Sequence, residues 1–452
     1  MTNAIASQEG SGTSISFGVA LGYWLKLGFI SFGGPAGQIG MMHQELVERR
    51  HWISEHRFLH ALNYCMVLPG PEAQQLATYI GWLMHGVRGG IVAGALFILP
   101  SLFILIGLTW VYLRFGDVTV VAGVLYGIKP AVTAIVAFAA YRIASRALKS
   151  PALWCMAAAA FLAIFVFGVA FPYIVLAAGL IGVVGGRIAP TAFRTGSAHA
   201  GKDVSGGGSA VIGDDTPLPG HARFSWARVI AYALVGLGLW GAMIGALAAF
   251  YGWDATFVRM GWFFTKAALL TFGGAYAVLP YVYQGGVEQY QWLTATQMID
   301  GLALGETTPG PLIMIVAFVG FVGGWTKELF GPESLFLAGA AGATVATVFT
   351  FLPSFLFILI GAPAVEATRH DVKFTAPLVG ITAAVVGVVL NLAVFFAYHV
   401  LWPQGLGGGF DWMSAALGVA AFMALWRFKR GIIPVIGACA SAGLVFFLMR
   451  IA

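Results

Sequence analysis

Apolar stretches long enough to cross a lipid bilayer follow one another along almost the whole chain. A membrane-spanning helix needs about 20 mostly apolar residues. Only 9% of the 452 residues are charged, whereas soluble domains carry about 25% charged residues. We therefore predict an all-α polytopic membrane protein with about 13 transmembrane helices and no large water-soluble domain. The candidate spans are 15–34, 64–86, 89–113, 118–141, 152–170, 171–188, 227–251, 257–280, 297–324, 334–362, 374–401, 412–428 and 431–450.

The chain repeats itself. Residues 26–77 align with residues 266–317 at a constant offset of 240, without a gap, and 13 of the 52 positions are identical. The offset then becomes 253, and the Leu-Pro-Ser at 99–101 matches the Leu-Pro-Ser at 352–354. Shared Lys, Trp and Pro-Gly-Pro residues in unbroken register exclude a chance likeness of apolar sequences. We predict two homologous domains, a first repeat over 15–190 and a second over 257–450.

A hydrophilic stretch divides the two repeats. Residues 191–226 are rich in Gly, Ser and Asp, and such a composition predicts a flexible linker. One extra span, within residues 227–256, connects the linker to the second repeat. An odd number of crossings then separates equivalent helices, so the repeats are predicted to have inverted topology with broken helices. The alternative is that the first helix of each repeat breaks at its Gly-Gly and turns back without crossing.

Charge placement bears on orientation and partners. The formal net charge of +6 is attributed to basic cytoplasmic loops rather than to nucleic acid, and the Lys and Arg count favours a cytoplasmic N-terminus. The loop that carries Arg49, Arg50 and Arg57 is the exception to this count. We predict the lipid bilayer as surroundings and no nucleic acid partner.

Each repeat interrupts its apolar runs twice. Proline removes a backbone donor and glycine lets the chain bend, and backbone groups freed at membrane depth line a cavity or are buried in protein. A helix that starts at such a break presents N–H groups to an anion. Breaks in corresponding places indicate the substrate site of a transporter, although a structural kink is the alternative. The predicted break residues are Gly33, Gly34, Gly273, Gly274, Pro69, Gly70, Pro71, Pro309, Gly310 and Pro311.

Polar side chains near the breaks complete the candidate site. Lys26 and Lys266 precede the Gly-Gly pairs at equivalent positions, so we predict that they attract an anion, with snorkelling to the interface as the alternative. Glu72 and Glu306 are predicted to couple transport to protons, or else to pair with the lysines. Lys129 is a weaker third cation. Neutral hydrogen-bonding candidates are Asn63, Gln74 and Thr308.

Metal, cofactor and enzyme chemistry find little support. His43, His51, His56 and His60 have a spacing that loosely resembles metal ligation, but a wet interfacial segment is the favoured interpretation. The apolar spans contain no nucleophile–base pair, no His-Glu metal motif and no phosphate loop. We predict no metal, no cofactor and no enzymatic activity.

The quoted residues resemble the chromate ion transporter family in its long, two-domain form. The likeness rests on Phe-Gly-Gly-Pro at 32–35 with Trp52, the Pro-Gly-Pro-Glu-Ala-Gln-Gln at 69–75, and the Gly-Glu-Thr-Thr-Pro-Gly-Pro at 305–311. The second repeat departs from the first with Ala275 in place of Pro35 and Leu312 in place of Glu72.

This resemblance implies secondary active export of chromate from the bacterial cytoplasm. Export would cross the inner membrane, be driven by the membrane potential or the proton gradient, and confer chromate resistance. Sulfate, another oxyanion or an organic anion stays open as the substrate, because chromate and sulfate share shape and charge. A membrane-embedded enzyme is the disfavoured class. A homodimer is an open alternative to a monomer.

Overall fold

The computed structural model describes residues 15–32, 34–116, 118–190, 210–213, 216, 219–272, 274–367 and 376–451. Most of the predicted linker, together with Gly33 and Gly273, lies outside these residues. Within them the chain is helical and contains no strand, apart from one isolated bridge between Ile53 and Ile212. The all-α prediction is confirmed.

Sixteen α-helices follow one another in the described residues. They are α1 (Phe17–Ile30), α2 (Gly34–His43), α3 (Glu55–Val67), α4 (Glu72–Phe115), α5 (Thr119–Ala147), α6 (Pro151–Phe165), α7 (Phe171–Ile188), α8 (Trp226–Tyr251), α9 (Thr256–Leu269), α10 (Ala275–Tyr283), α11 (Ala295–Thr307), α12 (Ile315–Thr326), α13 (Leu335–Ala367), α14 (Ala376–Leu401), α15 (Trp412–Trp426) and α16 (Ile432–Ile451).

Seven helices in the described part of the chain are long and apolar enough to cross a bilayer, and four shorter helices are also apolar. This confirms a polytopic membrane protein. The helices α1 and α9 have 14 residues each, or about 21 Å at 1.5 Å per residue. A bilayer core is about 30 Å thick. The predicted spans 15–34 and 257–280 therefore each contain a helix of about two thirds of the core thickness, followed by a break.

Helix α4 is a hairpin of two arms, residues 72–84 and 87–115. The backbone leaves the helical region at His85 and Gly86, where Gly86 has φ +66°. Beyond the turn, Gly89 packs directly on the backbone of Gly81, so that a Cβ there would collide with the Gly81 carbonyl. Gly320 of α12 and Gly342 of α13 make the same close approach in the second half. Glycine thus lets two antiparallel helices touch along their backbones.

The first Pro-Gly-Pro is the apex of a V formed by α3 and the first arm of α4. Contacts with helix α13 show how far each arm of this V extends along the bundle. Along α3, the His60 ring contacts the Val365 carbonyl and the Tyr64 hydroxyl donates to the Phe357 carbonyl, at 3.0 Å. The first arm of α4 then returns, because the Tyr79 hydroxyl donates to Glu366 at 2.5 Å. The two arms of this V therefore run in opposite directions, and both open ends lie at the same end of the bundle.

The second Pro-Gly-Pro is the apex of a matching V formed by α11 and α12. Contacts with the second arm of α4 show the extent of this V in the same way. Asp300 of α11 accepts a hydrogen bond from Tyr112 at 2.9 Å, and Phe318 of α12 packs on the same Tyr112 ring. Both arms of this V therefore lie at the level of Tyr112.

The two V-shaped segments open toward opposite ends of the bundle. Gly94 of α4 lies beside Phe355 of α13, and Trp110 packs on Phe336, so these two equivalent helices are antiparallel. The first V packs beside the C-terminal part of α13, and the second V packs beside the C-terminal part of α4. Equivalent helices of the two halves thus run in opposite directions. The boundaries at 190, 226 and 256 stay predictions.

The arginines of the loop that was the exception to the Lys and Arg count bind residues nearby in the structure. Arg50 donates to Glu45 at 2.8 Å and covers the ring of Trp52, and this charge lowers the pKa of Glu45. Arg49 joins the same carboxylate, and buried Arg57 donates to the Thr216 carbonyl. These arginines stabilise the turn and so report weakly on orientation.

Candidate functional site

The two helix breaks of one half meet those of the other half by backbone hydrogen bonds. The Gly70 N–H donates to the Thr271 carbonyl at 2.8 Å, and the Gly310 N–H donates to the Ser31 carbonyl at 2.9 Å. Ser31 and Thr271 are equivalent residues of the two repeats. Each Pro-Gly-Pro therefore binds the first break of the opposite half. We call this meeting point the crossing.

Glycine is required at both apices of the crossing. Gly70 has φ +124° and Gly310 has φ +107°, conformations that side-chain-bearing residues rarely adopt. A Cβ at Gly70 would lie 2.5 Å from Ser354 Oγ, and a Cβ at Gly310 would lie 2.6 Å from Ser101 Cβ. The prolines on either side end one helix and begin the next.

Buried polar atoms without a hydrogen-bond partner gather around the crossing. Native proteins satisfy nearly all buried polar groups, so such a cluster calls for a ligand or water. Three are hydroxyls, which can donate to an anion, and three are amide oxygens, which accept hydrogen bonds. The amide nitrogens of the same glutamines already donate to Ser31, Gly310, Thr78 and Pro69. The atoms are Ser31 Oγ, Gln38 Oε1, Gln74 Oε1, Gln75 Oε1, Ser101 Oγ and Ser354 Oγ. Neutral donors at membrane depth suit an anion that must be released again.

A small cavity opens at the crossing beside Glu306. Its lining residues are Gly34, Gly305, Glu306, Thr308, Gly310 and Leu312. Gly34 begins α2, and Leu312 begins the helical turn that precedes α12. Both helix starts present backbone N–H groups, and α2 adds a positive dipole end.

Glu306 is buried and has two polar neighbours. The Tyr276 hydroxyl donates a short hydrogen bond to its Oε1 atom. Arg142 of α5 lies close enough for its charge to act on both Glu306 and Tyr276. Glu72 starts the first arm of α4 and is half-buried beside Cys65. The two predicted coupling carboxylates therefore flank the crossing from different halves, at non-equivalent places.

The structure brings together most of the predicted backbone residues but not all of the predicted side chains. Pro69, Pro71, Pro309 and Pro311 lie at the two apices, Gly34 and Thr308 line the cavity, Gly274 caps α10, and Gln74 is buried on α4. Gly33 and Gly273 lie outside the described residues.

The lysines and Asn63 differ from the sequence-based expectation. Lys26, Lys266 and Asn63 are exposed on α1, α9 and α3. Across the described ranges, neither lysine makes a hydrogen bond or an ion pair. The physical reason is helical phase, because Tyr23, Trp24, Leu27 and Gly28 occupy the packed face of α1. The equivalent sequence positions are real, but neither lysine makes a hydrogen bond or an ion pair with a described residue of the crossing.

Several site residues escaped the sequence analysis. Ser31 and Thr271 carry the accepting carbonyls, and Tyr276 holds Glu306. A usable signal existed for Ser101 and Ser354, since both stand in the repeated Leu-Pro-Ser. No pattern in the sequence marked Tyr276, because its equivalent is Ala36.

Similarity to known proteins agrees with this architecture. A match to the family described as "Chromate transporter" covers residues 20–183 and 258–444. The chain belongs to the chromate transporter family. It is 30% identical to a chromate transport protein of Cupriavidus metallidurans, over 94% of this chain and 92% of the relative. It is 32% identical to a chromate transport protein of Pseudomonas aeruginosa, over 98% and 95% of the two chains.

A third relative is a probable chromate transport protein of Synechococcus elongatus, 29% identical over 94% of each chain. The family resemblance expected from the motifs is thereby confirmed. These chromate transporter relatives are named as transport proteins, in agreement with the prediction that the chain is not an enzyme. No solved structure matches the chain significantly.

Proposed function

We propose that this protein exports chromate from the bacterial cytoplasm across the inner membrane by secondary active transport and so confers chromate resistance. The observation that carries the proposal is the set of buried hydroxyls without a hydrogen-bond partner around the crossing, those of Ser31, Ser101 and Ser354. Membership of the chromate transporter family supports the substrate.

The chemistry of the crossing suits a tetrahedral oxyanion. Chromate presents four oxygens in four directions, and the hydroxyls of Ser31, Ser101 and Ser354 approach the crossing from different helices. Each hydrogen bond to a charged group contributes roughly 1.5–3 kcal/mol. Several such bonds hold a dianion without a lysine or arginine in contact with it, so that release stays fast.

The opposed V-shaped segments suit alternating access. The Gly70–Thr271 and Gly310–Ser31 hydrogen bonds tie the first V and the second V to the opposite half. Breaking one of these two hydrogen bonds opens the crossing toward one end of the bundle, while the other hydrogen bond keeps the opposite end closed. Rocking of one repeat against the other around a fixed central site is a common solution in transporters with inverted repeats.

Glu306 links anion binding to protonation. An ionised carboxylate beside the cavity repels a dianion, whereas a protonated one donates a hydrogen bond to it. The membrane potential by itself already favours export, because two negative charges leaving a negative interior gain about 4.6 kcal/mol per 100 mV. A proton that travels with chromate therefore reduces the electrical driving force but does not reverse it. Glu72 of the first half is the alternative coupling carboxylate, and it does not line the cavity.

Everted membrane vesicles test this function directly. Chromate export becomes uptake of labelled chromate into the vesicles, measured during respiration against vesicles that lack the protein. Valinomycin with potassium collapses the electrical potential and nigericin collapses the pH difference. We expect valinomycin to abolish most uptake and nigericin to change it less. Uptake that neither ionophore alters would contradict secondary active export.

Sulfate is the second candidate substrate. Neutral hydroxyl donors around the crossing recognise tetrahedral shape and charge, which sulfate shares with chromate. Unlabelled sulfate in tenfold excess over chromate separates the two. Strong inhibition of chromate uptake together with uptake of labelled sulfate would make sulfate a substrate.

A further inference from the structure

A charged pair lies away from the crossing, between α5 and α11. Lys129 Nζ lies 3.7 Å from Asp300 Oδ2, and the Tyr112 hydroxyl donates to the same oxygen at 2.9 Å. The Asp300 side chain is 2% exposed and that of Lys129 is 28% exposed. Three different helices, α4, α5 and α11, contribute one residue each.

The pair is incomplete on its acidic side. Asp300 Oδ1 is buried and has no hydrogen-bond partner. A carboxylate at membrane depth is costly unless it is paired, and intramembrane charges mark substrate or ion pathways. A purely structural ion pair would be expected to satisfy both carboxylate oxygens. Asp300 therefore holds Lys129 through one oxygen, at a distance longer than a tight ion pair.

A second cation and a second carboxylate lie on the same two helices. Arg142 of α5 acts on Glu306 of α11, which lines the cavity at the crossing. Going from Lys129 to Arg142 along α5 runs in the same direction as going from Asp300 to Glu306 along α11. The seam between α5 and α11 thus carries basic residues on one helix and acidic residues on the other.

We propose that Lys129 is an anion-binding relay on the substrate route at the end where the second V opens, and that Asp300 occupies Lys129 when no substrate is there. The incoming oxyanion displaces the Asp300 carboxylate, and Tyr112 keeps that carboxylate oriented. The proposal rests on the proposed function, because the ligand of Lys129 is the transported oxyanion. It adds a second binding point between the crossing and one end of the bundle.

The relay and a structural ion pair predict effects of different sign. In the relay, Asp300 competes with chromate, so Asp300→Asn frees Lys129 and tightens chromate binding, whereas Lys129→Thr weakens it. In a structural pair both single variants leave an unpaired buried charge and destabilise the protein. The double variant then restores function. Threonine is the natural choice, since Thr382 is the equivalent residue in the second half.

The measurement is the half-saturation concentration for labelled chromate in everted vesicles, with protein yield and thermal unfolding recorded for each variant. We expect the half-saturation concentration to rise about tenfold for K129T and to fall about tenfold for D300N. Each change corresponds to ~1.4 kcal/mol. The double variant should resemble K129T. A change of the same sign in both single variants, relieved in the double variant, would overturn the relay.

One further variant and one further binding measurement distinguish an error in the relay proposal from an error in the proposed function. Tyr112→Phe removes the hydroxyl that orients Asp300 but no charge, and we expect a decrease in half-saturation smaller than that of D300N. Wild-type protein that does not transport chromate contradicts the proposed function rather than the relay. In that case equilibrium binding of chromate and sulfate to purified K129T and D300N still tests the relay, which requires shifts of opposite sign.

Discussion

The two halves share their backbone at the crossing and differ in their side chains. Ser31 and Thr271 accept equivalent hydrogen bonds, and Ser101 and Ser354 stand beside equivalent glycines. By contrast, the Tyr276–Glu306 hydrogen bond has Ala36 and Met66 at the equivalent positions. The repeated backbone thus builds a symmetric crossing, whereas the Tyr276–Glu306 pair has no counterpart at the equivalent positions of the first half.

A second buried carboxylate, Glu366 of the second half, pairs with a tyrosine of the first half at another place. Tyr79 donates to Glu366, and the equivalents of these two residues are Val319 and Leu113. A polar pair in the membrane is costly to bury, and neither of these two pairs is repeated in the other half. Symmetry is thus retained where geometry requires it and lost where charge is involved.

The largest expected effect comes from breaking the shared backbone. Gly70→Ala and Gly310→Ala each place a Cβ against the opposite half at a positive φ, which costs about 1–2 kcal/mol from the backbone conformation alone. We expect transport to be lost in both variants, measured as chromate uptake in vesicles. Gly238→Ala on α8 is the matched control, since nothing lies within 4 Å of its added Cβ. Normal uptake by either apex variant would contradict the crossing.

The next effect tests the difference between the halves. Glu306→Gln removes the carboxyl beside the cavity, so we expect uptake driven by the electrical potential to persist while its response to nigericin disappears. Glu72→Gln in the other half is the matched variant. We expect it to retain the nigericin response, because Glu72 is not part of the cavity lining. The reverse result would assign proton coupling to the first half.

A smaller effect tests the equivalence of the serines. Ser101→Ala and Ser354→Ala each remove one hydroxyl at the crossing, and one hydrogen bond to an anion contributes roughly 1.5–3 kcal/mol. We expect the half-saturation concentration for chromate to rise about tenfold in each variant. Rises that differ strongly between the two serines would show that the substrate sits nearer one half.

The smallest effect concerns the lysines that the sequence singled out. Lys26→Ala and Lys266→Ala change exposed side chains, so we expect less than a twofold change in the half-saturation concentration. Chromate uptake with each variant, at equal protein yield, provides the measurement. Complete loss of transport in either variant would restore the prediction that these lysines bind the anion.

Much of the architecture could be predicted from the chain alone. Apolar length determined the membrane class, and the unbroken register around Pro-Gly-Pro identified two related halves. The helix breaks were predictable because Gly and Pro act on the backbone locally, so that Gly70 and Gly310 could be placed without any tertiary information.

The tertiary structure decided which side chains face the site. Lys26 and Tyr276 illustrate the limit. Lys26 repeats between the halves but is exposed, whereas Tyr276 does not repeat and donates a hydrogen bond to Glu306. Helical phase and long-range pairing, such as Lys129 with Asp300, depend on how distant helices pack. The sequence alone determined where the backbone must break, because that is a local property. Only the packed bundle determined what surrounds each break, because contacts between residues hundreds of positions apart are set by tertiary packing.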